Sequence, residues 1–297
     1  MASLDTLKNY TKVKLKNLDK CFYPKINITK GQIIEYYIKQ APKILPLIAN
    51  RPLVLTRYPK GVDDGHKLSF FAKNAPKGTP QWVKTTPIYS VSTKRNINYI
   101  ICNDLDTLVW LANLAALEIH MPFSTINELN YPDMLFFDID PEPPATLHDA
   151  VEIALLLKDK LTHIGLTPFV KTSGKKGLHI VVPIVPNWPF EQTRAFVHQL
   201  GIELAKENPI VVSEFKDTKT PGKVFVDYLQ NSPMRTMIIP YSLRSTPTAT
   251  VSTPLQWHEI QKNLDSSDLN LFSVTQRNTE PWQDLFSHQK PLCYPTT

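Results

Sequence analysis

The spacing of apolar residues changes several times along this chain, and each change marks a candidate element. In ITKGQIIEYYIKQAPKIL (28–45), Ile33, Ile34, Tyr37 and Ile38 recur at helical spacing, with Thr29 placed to cap the start and Pro42 near the end. PLVLTRYP (52–59) predicts a strand, and GVDDGHK (61–67) a polar turn. SFFAKNAPKGTPQW (69–82) reads as a loop carrying two adjacent aromatics among Lys73 and Lys77. INYIICND (97–104) predicts a strand, and residues 105–123 an apolar helix leading into a short strand that carries His120. A buried strand is expected over 133–140, a helix over 146–164, and a hairpin in which TPFVKT and LHIVVPI flank the tight turn SGKKG. A helix over 190–207 and strands at 223–230 and 236–241 follow, and the pattern weakens from about 254. Strands alternating with both helices and hairpins predict a mixed α/β (α+β) fold. Residues 1–285 are expected to form one domain of two closely packed lobes, with 286–297 a tail or linker stub.

One stretch of this pattern carries chemistry. In YPDMLFFDIDP (131–141) a nearly continuous apolar run closes on two aspartates one residue apart. Alternation puts Asp138 and Asp140 on one face and Phe137 and Ile139 on the other. Two such carboxylates repel each other unless they are solvated, share a proton or hold a cation. A strand ending in water is the plainer alternative. Asp227 repeats the logic inside VFVDYLQN, where a carboxylate among Val224, Phe225, Val226 and Tyr228 is costly without a partner. That partner is a basic side chain or a metal shared with the other two acids, and three carboxylates suit Mg²⁺ or Mn²⁺.

KTSGKKGLH (171–179) supplies a complement: two glycines for a tight turn, the Ser173 hydroxyl, Lys175 and Lys176, and His179 opening the next strand. Amides and cations gathered in a turn suit a phosphate, although a plain hairpin has the same look. Beside an acidic metal site, the turn points to metal-bound polyphosphate and so to nucleotidyl or phosphoryl transfer. Arg57, Arg235 and Arg244 are each ordinary surface cations that together with the turn would clamp a triphosphate, and of Phe70 and Phe71 one suits the core while an exposed one among lysines suits base stacking.

Composition narrows the partners. The 297 residues carry a formal net charge of +6, which permits a polyanionic partner, and lysines crowd the first thirty residues while the acids there are Asp5 and Asp19. With 42% hydrophobic and 20% charged residues, the chain reads as globular. No run of 18 apolar residues and no signal-like start is present, so no membrane partner and a cytoplasmic, nucleoid-associated location are expected. Cys21, Cys102 and Cys293 are scattered and read as reduced and structural.

Taken together, the motifs NLDKCFYP (17–24), RPLVLTRYPKGVD (51–63), FFAKNAP (70–76), LANLAALEIHMP (111–122), YPDMLFFDIDP, VKTSGKKGLHIVVPI (170–184), GKVFVDYLQN (222–231) and PYSLR (240–244) make the chain resemble the polymerase domain of bacterial ligase D. That family lies within the archaeo-eukaryotic primase superfamily and works in non-homologous end joining. The resemblance covers about residues 10–285. It implies a primase-like core with an RRM-like sheet packed against an N-terminal α/β module. It also implies a DNA-directed nucleotidyltransferase that fills gaps and extends ends at double-strand breaks. Two ions, Mn²⁺ or Mg²⁺, would be held by Asp138, Asp140 and Asp227. Ribonucleoside triphosphates would be preferred over deoxynucleotides. Ser173, Lys176, His179 and Arg244 would hold the nucleotide, with His120 and Arg57 nearby. Asn17, Lys20 and Lys30 would grasp the 5′-phosphate of a downstream DNA strand, and Phe70 and Phe71 would stack on the DNA. Ku and an ATP-dependent DNA ligase are the implied partners. The chain departs from the family pattern at 219–222, KTPG, where Thr220 stands at the place of a frequent arginine and Lys219 or Lys223 would have to compensate. Two rivals remain at this stage: a haloacid-dehalogenase-like phosphatase, suggested by FFDIDP, and a non-catalytic scaffold that binds DNA ends.

Overall fold

The computed structural model describes residues 12–62, 69–261 and 263–292. In chain order its strands and α-helices are β1 (Cys21–Tyr23), β2 (Ile28–Thr29), α1 (Lys30–Ile48), β3 (Pro52–Arg57), β4 (Phe70–Ala72), β5 (Thr85–Ser90), β6 (Arg95–Ile101), α2 (Leu105–Asn113), β7 (Ala116–Pro122) and β8 (Met134–Pro141). The order continues with α3 (Leu147–His163), β9 (Phe169–Thr172), β10 (Leu178–Pro183), α4 (Phe190–Glu207), β11 (Val211–Val212), β12 (Val224–Asp227), β13 (Thr236–Ile238), β14 (Pro254–Leu255) and α5 (Leu271–Gln276). The chain forms two compact units. The first draws on Met1–Met121, Ile238–Val251 and Ser267–Asn278, and the second on Pro122–Met237, Ser252–Ser266 and Thr279–Thr297.

In the first unit, helix α1 begins where the apolar spacing places it. The Thr29 hydroxyl accepts from the Gln32 N–H, and the Gln32 side chain accepts from the Thr29 N–H, a reciprocal cap that satisfies two otherwise unpaired amides. The helix does not stop at Pro42. It runs through Pro42 and Pro46 to Ile48, because Ile44, Leu47 and Ile48 beyond the first proline are buried and hold the turn in place. The buried Tyr37 hydroxyl donates to the Leu117 carbonyl and the Tyr36 hydroxyl to the Tyr241 carbonyl, so neither ring leaves its polar end unpaired. The sheet of this unit runs β7-β3-β6-β5, with β4 also pairing β3. The expectation of a loop over 69–82 therefore needs correction at its start: Phe70, Phe71 and Ala72 pair with Arg57, Thr56 and Leu55. β5 escapes a periodicity reading, since TTPIYS is only half-buried at best and lies at the edge of its sheet. Part of the GVDDGHK turn, residues 63–67, lies outside the described residues.

In the second unit, six strands run in the order β11-β12-β8-β10-β9-β14, and neighbours pair antiparallel except β11 with β12. Strand β8 is central and its Met134, Leu135, Phe136, Phe137 and Ile139 are buried, as its composition predicts. Helix α4 covers the face opposite the acids: a Cβ on Gly201 would meet the side chains of Ser213 and Val226, and Val226 points away from Asp227 by alternation. The predicted helix 146–164 is α3, packed on β8 and β10. Past residue 282 the chain still contributes to this unit: Trp282, Leu285 and Leu292 are buried, and the Trp282 indole donates to the Val170 carbonyl. Residues 293–297, including Cys293, lie outside the described residues.

Candidate active site

The four central strands of the second unit bring a row of polar side chains into register. Lys171 on β9 faces His179 on β10, His179 faces Asp138 on β8, and Asp138 faces Asp227 on β12. Directly opposed residues share a face and stand about 5 Å apart at Cβ, so one cation, one imidazole and two carboxylates form a continuous line. Asp140 lies one pleat further along β8 on the same face.

Each acid has a polar neighbour in the protein. Asp138 Oδ1 lies 3.3 Å from His179 Nε2, and Asp140 Oδ2 lies 3.3 Å from Lys176 Nζ. Asp227 accepts from the Leu229 N–H at 2.7 Å and from the Gln230 amide at 3.3 Å. Burial, reinforced by the neighbouring charge of Asp138, raises the Asp140 carboxyl above the usual carboxylate range. Burial also raises Asp227, against the Leu229 amide that favours its ionised form, and Asp138 adds to the rise. Among the described residues no group of three or more His, Cys, Asp or Glu side chains is already gathered as a metal cage. The chemistry of the donor set nevertheless fits a hard divalent cation: carboxylate oxygens on adjacent strands, destabilised as anions by burial and by one another.

The turn after β9 is built by its serine. Ser173 Oγ accepts from the amides of Lys175 and Gly177, and the Ser173 N–H donates to the Gly177 carbonyl. Those two amides are thus spent inside the turn, which leaves less of the anion nest than the sequence suggests. Gly177 is required sterically, since any Cβ there would overlap the Ile139 carbonyl oxygen. Lys176 reaches back over the strand end to Asp140, the Pro141 carbonyl and Glu142, and Lys219 also reaches Glu142, at 3.5 Å. Lys223, the other candidate to replace an arginine at 220, instead donates to the Pro209 carbonyl.

Arg235 adds a positive charge near Asp227 in the second unit, and the remaining candidates lie in the first unit and form three groups. Arg57 and Phe70 pair across β3 and β4, with the guanidinium 5.1 Å from the ring centre and its Nε donating to the Leu114 carbonyl. Phe71 meets His120 edge-on at 5.9 Å, and His120 Nε2 lies 3.3 Å from the Thr56 hydroxyl. Phe70 and Phe71 are 46% and 56% exposed, and as neighbours on one strand they point to opposite faces of it. Arg244 forms a second group: its Nε lies 3.2 Å from Glu118 Oε1 in a buried ion pair that lacks hydrogen-bond geometry, while Ser245 donates to the same carboxylate oxygen through its N–H and hydroxyl. Glu118 has no motif to announce it; it sits in the apolar strand ALEIHMP and is visible only as one more buried charge. Asn17, Lys20 and Lys30 make the third group, at the entrance to α1. Asn17 takes a left-handed conformation and its carbonyl accepts from the Lys20 N–H, while Lys20 Nζ donates to the Pro59 carbonyl. Lys30 is buried rather than exposed: its ammonium donates to the Lys16 carbonyl and to Asn113 Oδ1, both at 2.8 Å. Burial, with Lys20 and Lys16 adding, pushes it down to about 8.

Comparison with known proteins decides the family. The model of the LigD primase-polymerase domain matches residues 29–286. The chain belongs to this family. It is 34% identical over 270 residues to the bifunctional non-homologous end joining protein LigD of Bacillus subtilis, covering 90% of this chain and 43% of that protein. It is 32% identical over 257 residues to the multifunctional LigD of Mycolicibacterium smegmatis, covering 86% of this chain and 33% of that protein. The polymerase domain of Mycobacterium tuberculosis Ligase D, solved in complex with DNA, superposes with a TM-score of 0.83 at 31% identity over 93% of this chain and 99% of that one. The primase-polymerase chain therefore spans less than half the length of the curated LigD proteins it matches. It is a nucleotidyltransferase of the primase-polymerase type, which sets aside the phosphatase reading. No helix among the described residues is long and apolar enough to cross a membrane.

Proposed function

We propose that this LigD-family domain extends and fills DNA ends during non-homologous end joining, adding nucleotides, with ribonucleotides preferred, at a 3′-hydroxyl. The observation that carries the reading is the line of Asp227, Asp138 and His179 across three paired strands, with Asp140 one pleat away. Two divalent cations, Mn²⁺ or Mg²⁺, would be held by Asp138, Asp140 and Asp227; when bound they would supply an acidified primer hydroxyl and a neutralised triphosphate. Lys176, now on Asp140, and His179, now on Asp138, are the donors such cations would release toward phosphate oxygens. Ser173 shapes the turn that carries Lys176, and Lys219 adds charge beside Glu142. Arg57, His120 and the Phe70 and Phe71 rings would bind the nucleotide and stack on DNA, and Arg244 would be oriented by Glu118. Asn17, Lys20 and Lys30 would meet a downstream 5′-phosphate, and Lys30 also holds the segment that presents the other two. Ku and a ligase domain are the partners this role requires, at the nucleoid.

The test is extension of a labelled primer on gapped DNA with and without a downstream 5′-phosphate, offering ribo- or deoxynucleotides with Mn²⁺ or Mg²⁺. Ribonucleotide-favoured extension that rises with the 5′-phosphate and is absent in Asp138→Ala is expected. Undiminished extension by Asp138→Ala would overturn the assignment.

A further inference from the structure

Lys171 is fully buried in the middle of a sheet, a costly place for an ammonium without dedicated acceptors. Two are in place: Lys171 Nζ lies 2.7 Å from His179 Nδ1 and donates to Ser252 Oγ at 2.6 Å. Ser252 is itself fully buried and donates its proton to the Thr172 carbonyl at 3.0 Å, so its oxygen is the acceptor toward the lysine. The Thr172 hydroxyl in turn accepts from the Thr253 N–H, which fixes the segment that presents Ser252. The His179 ring is confined on its remaining sides, with Phe136 edge-on at 5.0 Å and Asp138 Oδ1 3.3 Å from Nε2.

An ammonium has donors only, and a neutral imidazole has one donor and one acceptor nitrogen. With Lys171 on Nδ1, that nitrogen must accept, and the ring proton must sit on Nε2, the nitrogen that faces the acids. We propose that Lys171 is a positioning residue that locks His179 in the Nε2–H tautomer, so that His179 presents a proton donor and never a lone pair to the mouth of the site. The inference deepens the reading of the site as a nucleotidyltransferase centre and rests on it for the ligand, a triphosphate, whose oxygens are acceptors only. A histidine of the opposite tautomer would aim a lone pair at those oxygens and repel them. Through the same hydrogen bond Lys171 places positive charge in line with Asp138, two strands away.

The decisive measurement is nitrogen NMR of ¹⁵N-histidine-labelled protein without metal or nucleotide, with the His179 resonances identified by their loss in His179→Gln. A protonated Nε2 and an unprotonated, hydrogen-bonded Nδ1 are expected in the unaltered protein. A protonated Nδ1 there would overturn the proposal, with no variant needed. In Lys171→Met, similar in length but without a donor, the Nδ1 signal should shift and the two tautomers should mix; an unchanged His179 pattern in a folded variant would also overturn it. In primer extension the same variant should raise KM for the nucleotide roughly tenfold, the scale of one hydrogen bond to a charged group, with kcat changed less. Unchanged KM would count against the role. If the unaltered protein extends no primer, the polymerase reading fails while the NMR result still decides the tautomer.

Discussion

Single residues show most sharply how burial alters expectation. Lys30 stands in a lysine-rich segment, where charge alone predicts an exposed side chain. Its ammonium instead ties Lys16 and Asn113 to the start of α1, and its proton is held less tightly than usual, at about 8. An unfolded lysine keeps its proton to about 10.5, so between those values the unfolded chain binds more protons and stability contributed at this site rises with pH. The stability difference between the unaltered protein and Lys30→Met, followed by denaturant unfolding from pH 7 to 10, is accordingly expected to shift in favour of the unaltered protein above about pH 8. A flat difference would refute it. The acids behave as read: the alternation in FFDIDP places Asp138 and Asp140 together, and that much is local geometry. Glu118 and Lys171 were not legible, because a charged residue in an apolar strand looks the same whether its partner is water, a ligand or another side chain.

At the level of elements, the hairpin joining β9 and β10 is the informative case. Its turn residues are evident from SGKKG, yet the sequence does not tell which way the amides point. Tertiary geometry turns two of them onto Ser173 and brings Gly177 against strand β8, so closely that a methyl group has no room. Gly177→Ala is expected to cost about 1–3 kcal/mol of stability through overpacking and to lower extension by displacing Lys176 from Asp140. Thermal unfolding and primer extension measured together check both halves. Helix α1 teaches the reverse lesson: a proline expected near the helix end lies inside it, because buried side chains beyond it offset the missing hydrogen bond. Its start was legible since the Thr29 and Gln32 cap needs only residues three apart.

For the whole molecule, each unit is assembled from three stretches of chain, and the last stretch of the second supplies Trp282 to its core. Trp282 is 1% exposed, bonds the Val170 carbonyl and packs edge-on against Phe169. Trp282→Ala is expected to destabilise this unit by about 3–5 kcal/mol, the usual cost of emptying a large buried site. Calorimetry would check it, and a change below about 1 kcal/mol would contradict the packing described. By itself the sequence determined the period of most elements, the face shared by Asp138 and Asp140, the cap of α1, the basic entrance, and a set of motifs specific enough to indicate the family. These depend on neighbours within a few residues, where backbone geometry alone fixes which side chains meet. Only the tertiary structure decided that Lys171, His179, Asp138 and Asp227 stand in one line, that Lys30 is buried, and that Arg244 leans on Glu118. Those facts depend on strand register and on contacts between residues up to 126 positions apart along the chain, which no local pattern encodes.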